Sequence, residues 1–233
     1  MNLRTSDDES KFVIVISNYS NDSLLAKNIE LFELNEHVST VYILNPKESF
    51  SPNFNKIKTI ADETYANFRF IPPIKLQSCV FLCNGDAQLD EESLNMGFRA
   101  WKNAPNALVG YFPGLVNSNV TNIFNYLHTD GLFISSEFLY NFNCLLPPHV
   151  HLFLQSHPEC SSMALNMFSM GTSKTAPIKI DLATAHDRKD NLQECYEQIL
   201  PFFEGLDPLL KSSISVTSFK KISIKKKKIE EWK

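Results

Sequence analysis

Glycine is scarce in this chain, with seven among 233 residues, while phenylalanine reaches eighteen. Few segments can therefore use the left-handed backbone that glycine permits, and the balance points to a well-packed fold with few flexible loops. No apolar run approaches the roughly 20 residues needed to cross a bilayer, so no transmembrane segment is expected. Met1 to Lys11 is polar and acidic, without the basic start and apolar core of a secretory leader. On that ground the sequence reads as cytoplasmic. The sequons at Asn18, Asn21 and Asn119 would matter only in the secretory pathway. Cys79, Cys83 and Cys144 have no second pair at zinc-ligand spacing, which argues against a zinc centre. Internal repeats and low-complexity linkers are absent.

What is present is enough apolar material, 43% of the chain, to bury a full core. The net charge of −4 hides an asymmetry: residues 220–233 carry seven lysines against Glu230 and Glu231, a net +5, so the preceding residues carry −9. An acidic body is no electrostatic partner for nucleic acid, and only the tail could attract phosphates or anionic lipid. Ile222, Ile224, Ile229 and Trp232 interleave with Lys225 to Lys228. A membrane-surface or protein-binding helix is one reading, and a solvated C-terminal helix the plainer one.

The chain is organised around Ser78 to Lys102. Cys79 to Cys83 is a short apolar run closed by Asn84-Gly85-Asp86, which reads as a buried strand and a tight turn. The turn puts an amide and a carboxylate at the C-terminal end of the strand, where open α/β sheets bind ligands. Asp90, Glu91 and Glu92 then load the first turn of a helix whose Leu94, Phe98 and Trp101 share one face. Such a layout suits a nucleotide-sugar site, and equally a plain strand-helix unit.

Elsewhere, Lys11 to Ser17 is a β-branched run, followed by a helix opening at Asp22 or Ser23 with Leu24, Leu25, Ile29, Leu31 and Phe32 as its stripe, then a strand over Val38 to Leu44. This opening favours a right-handed crossover and a parallel pair. A short strand is expected within 47–66. A strand and turn are expected over Leu108 to Gly114 and strands over Gly131 to Ser135 and Ile178 to Ile180, with a helix over Met163 to Met170 and a helix or its end over Cys195 to Phe203. His149, His151 and His157, around Pro147-Pro148, read as a surface loop rather than as ligands.

Several short motifs occur in a recognisable order: Gly97-Phe-Arg-Ala-Trp101, Val109-Gly110 with Pro113, Leu146-Pro147, Cys160 with Met163-Ala-Leu-Asn166, Pro177 to Ile180, and Cys195 with Pro208-Leu-Leu210. In order and spacing they resemble glycosyltransferase family 64, which includes the exostosin C-terminal domains and the exostosin-like N-acetylhexosaminyltransferases. The resemblance covers roughly residues 11 to 230. It implies a GT-A fold, an α/β nucleotide-diphospho-sugar transferase with a mixed sheet flanked by helices. Residues 11–102 would form the nucleotide-binding half and 103–219 the acceptor half, with 1–10 as a disordered N-terminal segment and 220–233 as a basic tail. It further implies transfer of GlcNAc or GalNAc from a UDP-sugar to a glycan acceptor, with Mn2+ and with retention, in a family whose members are luminal to the ER and Golgi.

Set against the family pattern, the chain departs where chemistry is carried. The family's aspartate run corresponds to Asn84, Gly85 and Asp86, leaving Asp86 at the metal-ligand position and Asn84 free to meet a ribose. Alternatively the three residues are only a turn. Asn45 matches a position near the uridine, though Asn-Pro is also an ordinary turn. The Glu-Asp that follows the family's cysteine is replaced by Ser161-Ser162, and serine cannot stabilise an oxocarbenium-like centre by charge. Glu159, one residue before the cysteine, points elsewhere on a helix. The arginine expected to neutralise the diphosphate is Leu192, and that of the first-strand loop is Asn21. No catalytic residue is therefore assigned. Cys160 and Cys195 match cysteines that are disulfide-bonded in the family, but a cytosolic chain would hold them as buried thiols. His186-Asp187 falls in an acceptor-side loop of open role. Three functions remain: a hexosaminyltransferase with a rearranged catalytic set, a pseudo-glycosyltransferase that binds nucleotide or glycan, and a scaffold for a protein partner.

Overall fold

The computed structural model describes residues 9–18, 22–44, 54–60, 76–117, 121–181 and 192–217. The strands among the described residues are β1 (Phe12–Asn18), β2 (Val38–Leu44), β3 (Ile57–Ile60), β4 (Cys79–Asn84), β5 (Val109–Gly110), β6 (Pro113–Gly114), β7 (Tyr126–Leu127), β8 (Gly131–Ser135), β9 (Ile178–Ile180) and β10 (Ser215–Val216). The helices are α1 (Asp22–Leu34), α2 (Glu91–Asn103), α3 (Ser136–Leu145), α4 (Pro148–Ser156), α5 (Ser161–Ser173) and α6 (Leu192–Ile199). Expectations that fall on Asn21, Asn45, Asn119, His186, Asp187 and the two termini lie outside the described residues.

Eight strands form one sheet in the order β10-β9-β5-β8-β4-β1-β2-β3, and β6 pairs with β7 in a separate ribbon. Pairing is parallel except where β8 runs antiparallel to β4 and β5. This is a mixed, mostly parallel α/β sheet. Its central strands are apolar throughout because both faces are covered. Phe12, Ile14, Ile16, Phe81 and Cys83 face α1 and α2, whereas Val13, Val15, Val80 and Leu82 face the cluster that includes α3 to α6. Each fully buried Leu, Ile or Phe contributes about 1.5–3 kcal/mol.

Helix α2 forms where the sequence predicts it. Asp90 caps it, its carboxylate accepting from the Ser93 N–H at 2.7 Å, and Leu94, Gly97, Phe98 and Trp101 are buried. Gly97 is required by closeness: an added Cβ would run into the Phe133 ring and the Tyr111 hydroxyl. The Tyr111 hydroxyl donates to the Ser93 carbonyl at 2.8 Å. Burial, and then the nearby Asp90 carboxylate, push its pKa well up.

Two expectations are corrected. The histidines do not share a loop: His149 and His151 ride on α4, a helix that Pro148 can open because the first helical position needs no N–H partner. They are still surface groups in part, with His149 against Phe202 and His157 stacked on Phe153 at 4.5 Å. Nor are Cys160 and Cys195 thiols. They are bonded to each other, their Cα atoms 5.1 Å apart across 35 residues of chain, because a 3-10 turn over Pro158–Cys160 brings the first against α6.

Candidate functional site

Beyond β1 the chain moves outward through β2 and β3, then returns to place β4 on the other side of β1. The carboxyl ends of β1 and β4 therefore flank a topological switch point, the position at which open α/β sheets bind ligands. Asn84-Gly85-Asp86 stands there.

The turn is held from several sides. Asn84 Oδ1 accepts from the Asp86 N–H at 3.0 Å, and the Ala87 N–H donates to the Asn84 carbonyl at 3.0 Å. From α1, the buried Asn28 amide donates to the Gly85 carbonyl at 2.6 Å and the Ala87 carbonyl at 2.8 Å. The Asn84 N–H donates to the Asp130 carbonyl at 3.3 Å, which sets the turn against the residues leading into β8. Asp86 is half-buried.

The same lead-in connects to α5. Ser162 Oγ accepts from the Tyr126 hydroxyl at 2.8 Å and from the Thr129 N–H at 3.1 Å. Its acceptor positions are thus taken by two donors, leaving the hydroxyl proton to give. Tyr126 in turn lies edge-on to the buried His128, hydroxyl to Nδ1 at 3.4 Å. Asn166, fully buried one turn along α5, clamps β7: its Oδ1 accepts from the Leu127 N–H at 2.9 Å, while its Nδ2 donates to the Leu127 and Ser162 carbonyls, each at 2.8 Å. Ser161 turns away, its hydroxyl donating to the Pro158 carbonyl at 2.7 Å, and Glu159 is exposed.

Leu192 opens α6 and is half-buried against the core. A Cβ on Gly114 would meet Leu192 Cδ1 at 2.7 Å and Tyr126 Cδ1 at 2.9 Å, so Leu192 and Tyr126 both pack on that glycine. The disulfide, two residues before Ser162 and three after Leu192, ties the two positions together. Ser162, Leu192, Tyr126 and the Asn84 to Asp86 turn thus belong to one connected edge, whereas Ser161 does not reach it.

Chemically the edge is rich in hydrogen bonding and poor in charge. Among the described residues no group of three or more His, Cys, Asp or Glu side chains could hold a metal. Asp86 offers one carboxylate, and a hard divalent cation needs several oxygens. The described residues thus supply one of the several oxygens such an ion needs. Sequence reasoning missed Asn28, Tyr126, His128 and Thr129, and named Asn166 only as part of a motif. Asn28 left a signal, a polar residue in the buried stripe between Leu25 and Phe32.

A family model described as Glycosyl transferase family 64 domain matches residues 12–217. The chain is 21% identical over 167 residues to Glycosyltransferase family protein 64 C3 of Arabidopsis thaliana, covering 64% of this chain and 50% of that protein. It is 25% identical over 152 residues to Exostosin-2 of Mus musculus, covering 58% and 21%. Against the Exostosin-like-3 homolog of Caenorhabditis elegans the identity is 21% over 187 residues, covering 72% and 23%. This chain spans between about a fifth and a half of the length of these relatives.

Proposed function

The chain belongs to glycosyltransferase family 64, and from that premise we propose that it binds a UDP-sugar, UDP-GlcNAc or UDP-GalNAc, at the switch-point edge of a GT-A fold, with transfer weakened or lost. The observation that carries this reading is Ser162. At the position where the resemblance expects the carboxylate, its hydroxyl takes the hydrogen bonds of Tyr126 and Thr129 and brings no charge. Leu192 likewise brings no cation to a leaving diphosphate. Losing one such stabilising group typically costs about 10²–10³ in rate, so binding can outlive turnover.

Asp86 would hold a Mn2+ ion together with the diphosphate oxygens, and the ion, when bound, would neutralise phosphate charge. Asn84, its Oδ1 committed to the turn, has its amide N–H groups to offer a ribose, and Asn45 is assigned to the uridine by resemblance alone. The Cys160–Cys195 bond favours folding in an oxidising compartment, against the cytoplasmic expectation drawn from the first residues. A glycan acceptor would approach from the 103–219 half. The second reading, a binding module without turnover, draws on the same two positions, and a role through a protein partner would require that nucleotide binding be absent.

Calorimetric titration of UDP and UDP-GlcNAc, with and without Mn2+, tests the donor site. Manganese-dependent binding that weakens about tenfold or more in Asp86→Ala is expected. Absence of heat at millimolar ligand removes both nucleotide readings.

A further inference from the structure

Gly114, on which Leu192 and Tyr126 pack, also lines a cleft of about 420 Å³ that none of the assigned positions uses. Its size falls within the roughly 300–1,000 Å³ of small-molecule sites. Leu115 and Phe124 supply apolar lining, and Asn122, Lys179, Ser213 and Ser215 supply hydrogen-bonding groups. The walls are fixed. Phe124 and Ser212 exchange both backbone hydrogen bonds, at 2.9 and 2.8 Å. Lys179 and Ser215 stand on paired strands β9 and β10, and Asn122 holds a left-handed backbone, φ 63°.

The charge in the cleft is balanced. Lys179, the one ionic group of the lining among the described residues, is paired with Asp181 at 2.8 Å, and the other Asp181 oxygen accepts from the Thr217 hydroxyl at 2.9 Å. The Lys179 hydrogen bond, with further help from Thr217, lowers the Asp181 pKa. A uronate or sulfate would find a cation already neutralised. An uncharged, hydroxyl-rich ring would find an apolar surface ringed by the Asn122 amide, the Ser213 hydroxyl, the Ser215 hydroxyl shared with Asp181, and an ammonium that keeps N–H groups beyond its Asp181 pair.

We infer that this cleft, which shares Gly114 with the packing of Leu192 and Tyr126, is a subsite for a neutral saccharide residue. Its role as the outer part of an acceptor site rests on the donor-site reading above; its ligand class does not.

The test is amide chemical-shift mapping of the full 15N-labelled chain with chitotriose, a neutral oligosaccharide, and with an unsulfated uronate-containing hexasaccharide, adding UDP to the same samples afterwards. Saturable shifts at Asn122, Phe124, Lys179 and Ser215 with a millimolar midpoint are expected. They should weaken about tenfold or more in Ser213→Trp, which fills the cleft from an exposed position and whose unchanged spectrum elsewhere reports an intact fold. Shifts that ignore Ser213→Trp, or none at the cleft up to about 20 mM, overturn the subsite, and tighter binding of the hexasaccharide overturns its neutral class. A UDP response with a silent cleft sinks the subsite alone. A cleft response without UDP binding supports the subsite and sinks the donor reading.

Discussion

The stripe of α2 and the head of α5 are each buried against the sheet, yet different things hold them. Leu94, Phe98 and Trp101 are enclosed by the rings of Phe12, Phe133 and their neighbours, with Phe98 4.7 Å from Phe12 and stacked on Trp101. Volume on every side dictates what fits. Ser162 is held by two donors, Tyr126 and Thr129, that would serve a carboxylate equally well. A packing position cannot change without opening a void, whereas a chemistry position can exchange charge for a hydroxyl and leave the fold undisturbed. On the proposed reading, that asymmetry would let the chain keep the family's core while departing from its catalytic set.

The comparison breaks first if the packing side proves soft. Phe98→Ala should cost about 3–5 kcal/mol, measured by urea denaturation. A loss near zero would mean that α2 is not the rigid partner of the sheet. Next comes the disulfide, which fastens the chemistry edge from behind. Its reduction should cost about 2–4 kcal/mol. Thiol labelling of the unreduced native chain should find Cys144 reactive, because it is exposed, while burial raises the pKa of Cys79 and Cys83 and keeps them slow. Rapid labelling of Cys160 or Cys195 would place the chain in a reduced state.

Asn166→Ala then tests whether polar clamps support the edge. It leaves the buried Leu127 N–H and carbonyl unpaired, a loss of about 1–3 kcal/mol, and UDP-GlcNAc binding should weaken with it. The smallest effect concerns pH. Asp181 has a lowered folded-state pKa, so its contribution is present above the ordinary carboxylate pKa and is lost as pH falls through the depressed value. Asp181→Asn should flatten the acid limb of a melting-temperature profile slightly and leave neutral pH nearly unchanged.

Much of the fold was legible in the sequence, because β1, β2, β4 and β8 are apolar runs with turn signals and α2 carries its cap and stripe in plain order. The element expected over Leu108 to Gly114 is instead two short strands, β5 in the main sheet and β6 in the ribbon, and β7 was not legible, since two-residue strands have no period. Of the proposed site, only Asn84 to Asp86, Ser162 and Leu192 were named from the sequence. Asn28 and Asn166 act across 57 and 39 residues of chain, and nothing local says which backbone an asparagine will clamp. The disulfide was misjudged because the reading of compartment, drawn from the first residues, overrode the pairing that the resemblance implied.

The central claim is that the donor edge has kept its shape and lost its charge. Release of UDP from UDP-GlcNAc by the wild type and by Ser162→Asp/Leu192→Arg tests it most directly. The account predicts slow release by the wild type and a gain of about 10²-fold or more in the double variant, with UDP affinity little changed. Rapid release by the wild type, or no gain in a variant that still binds UDP, would contradict it.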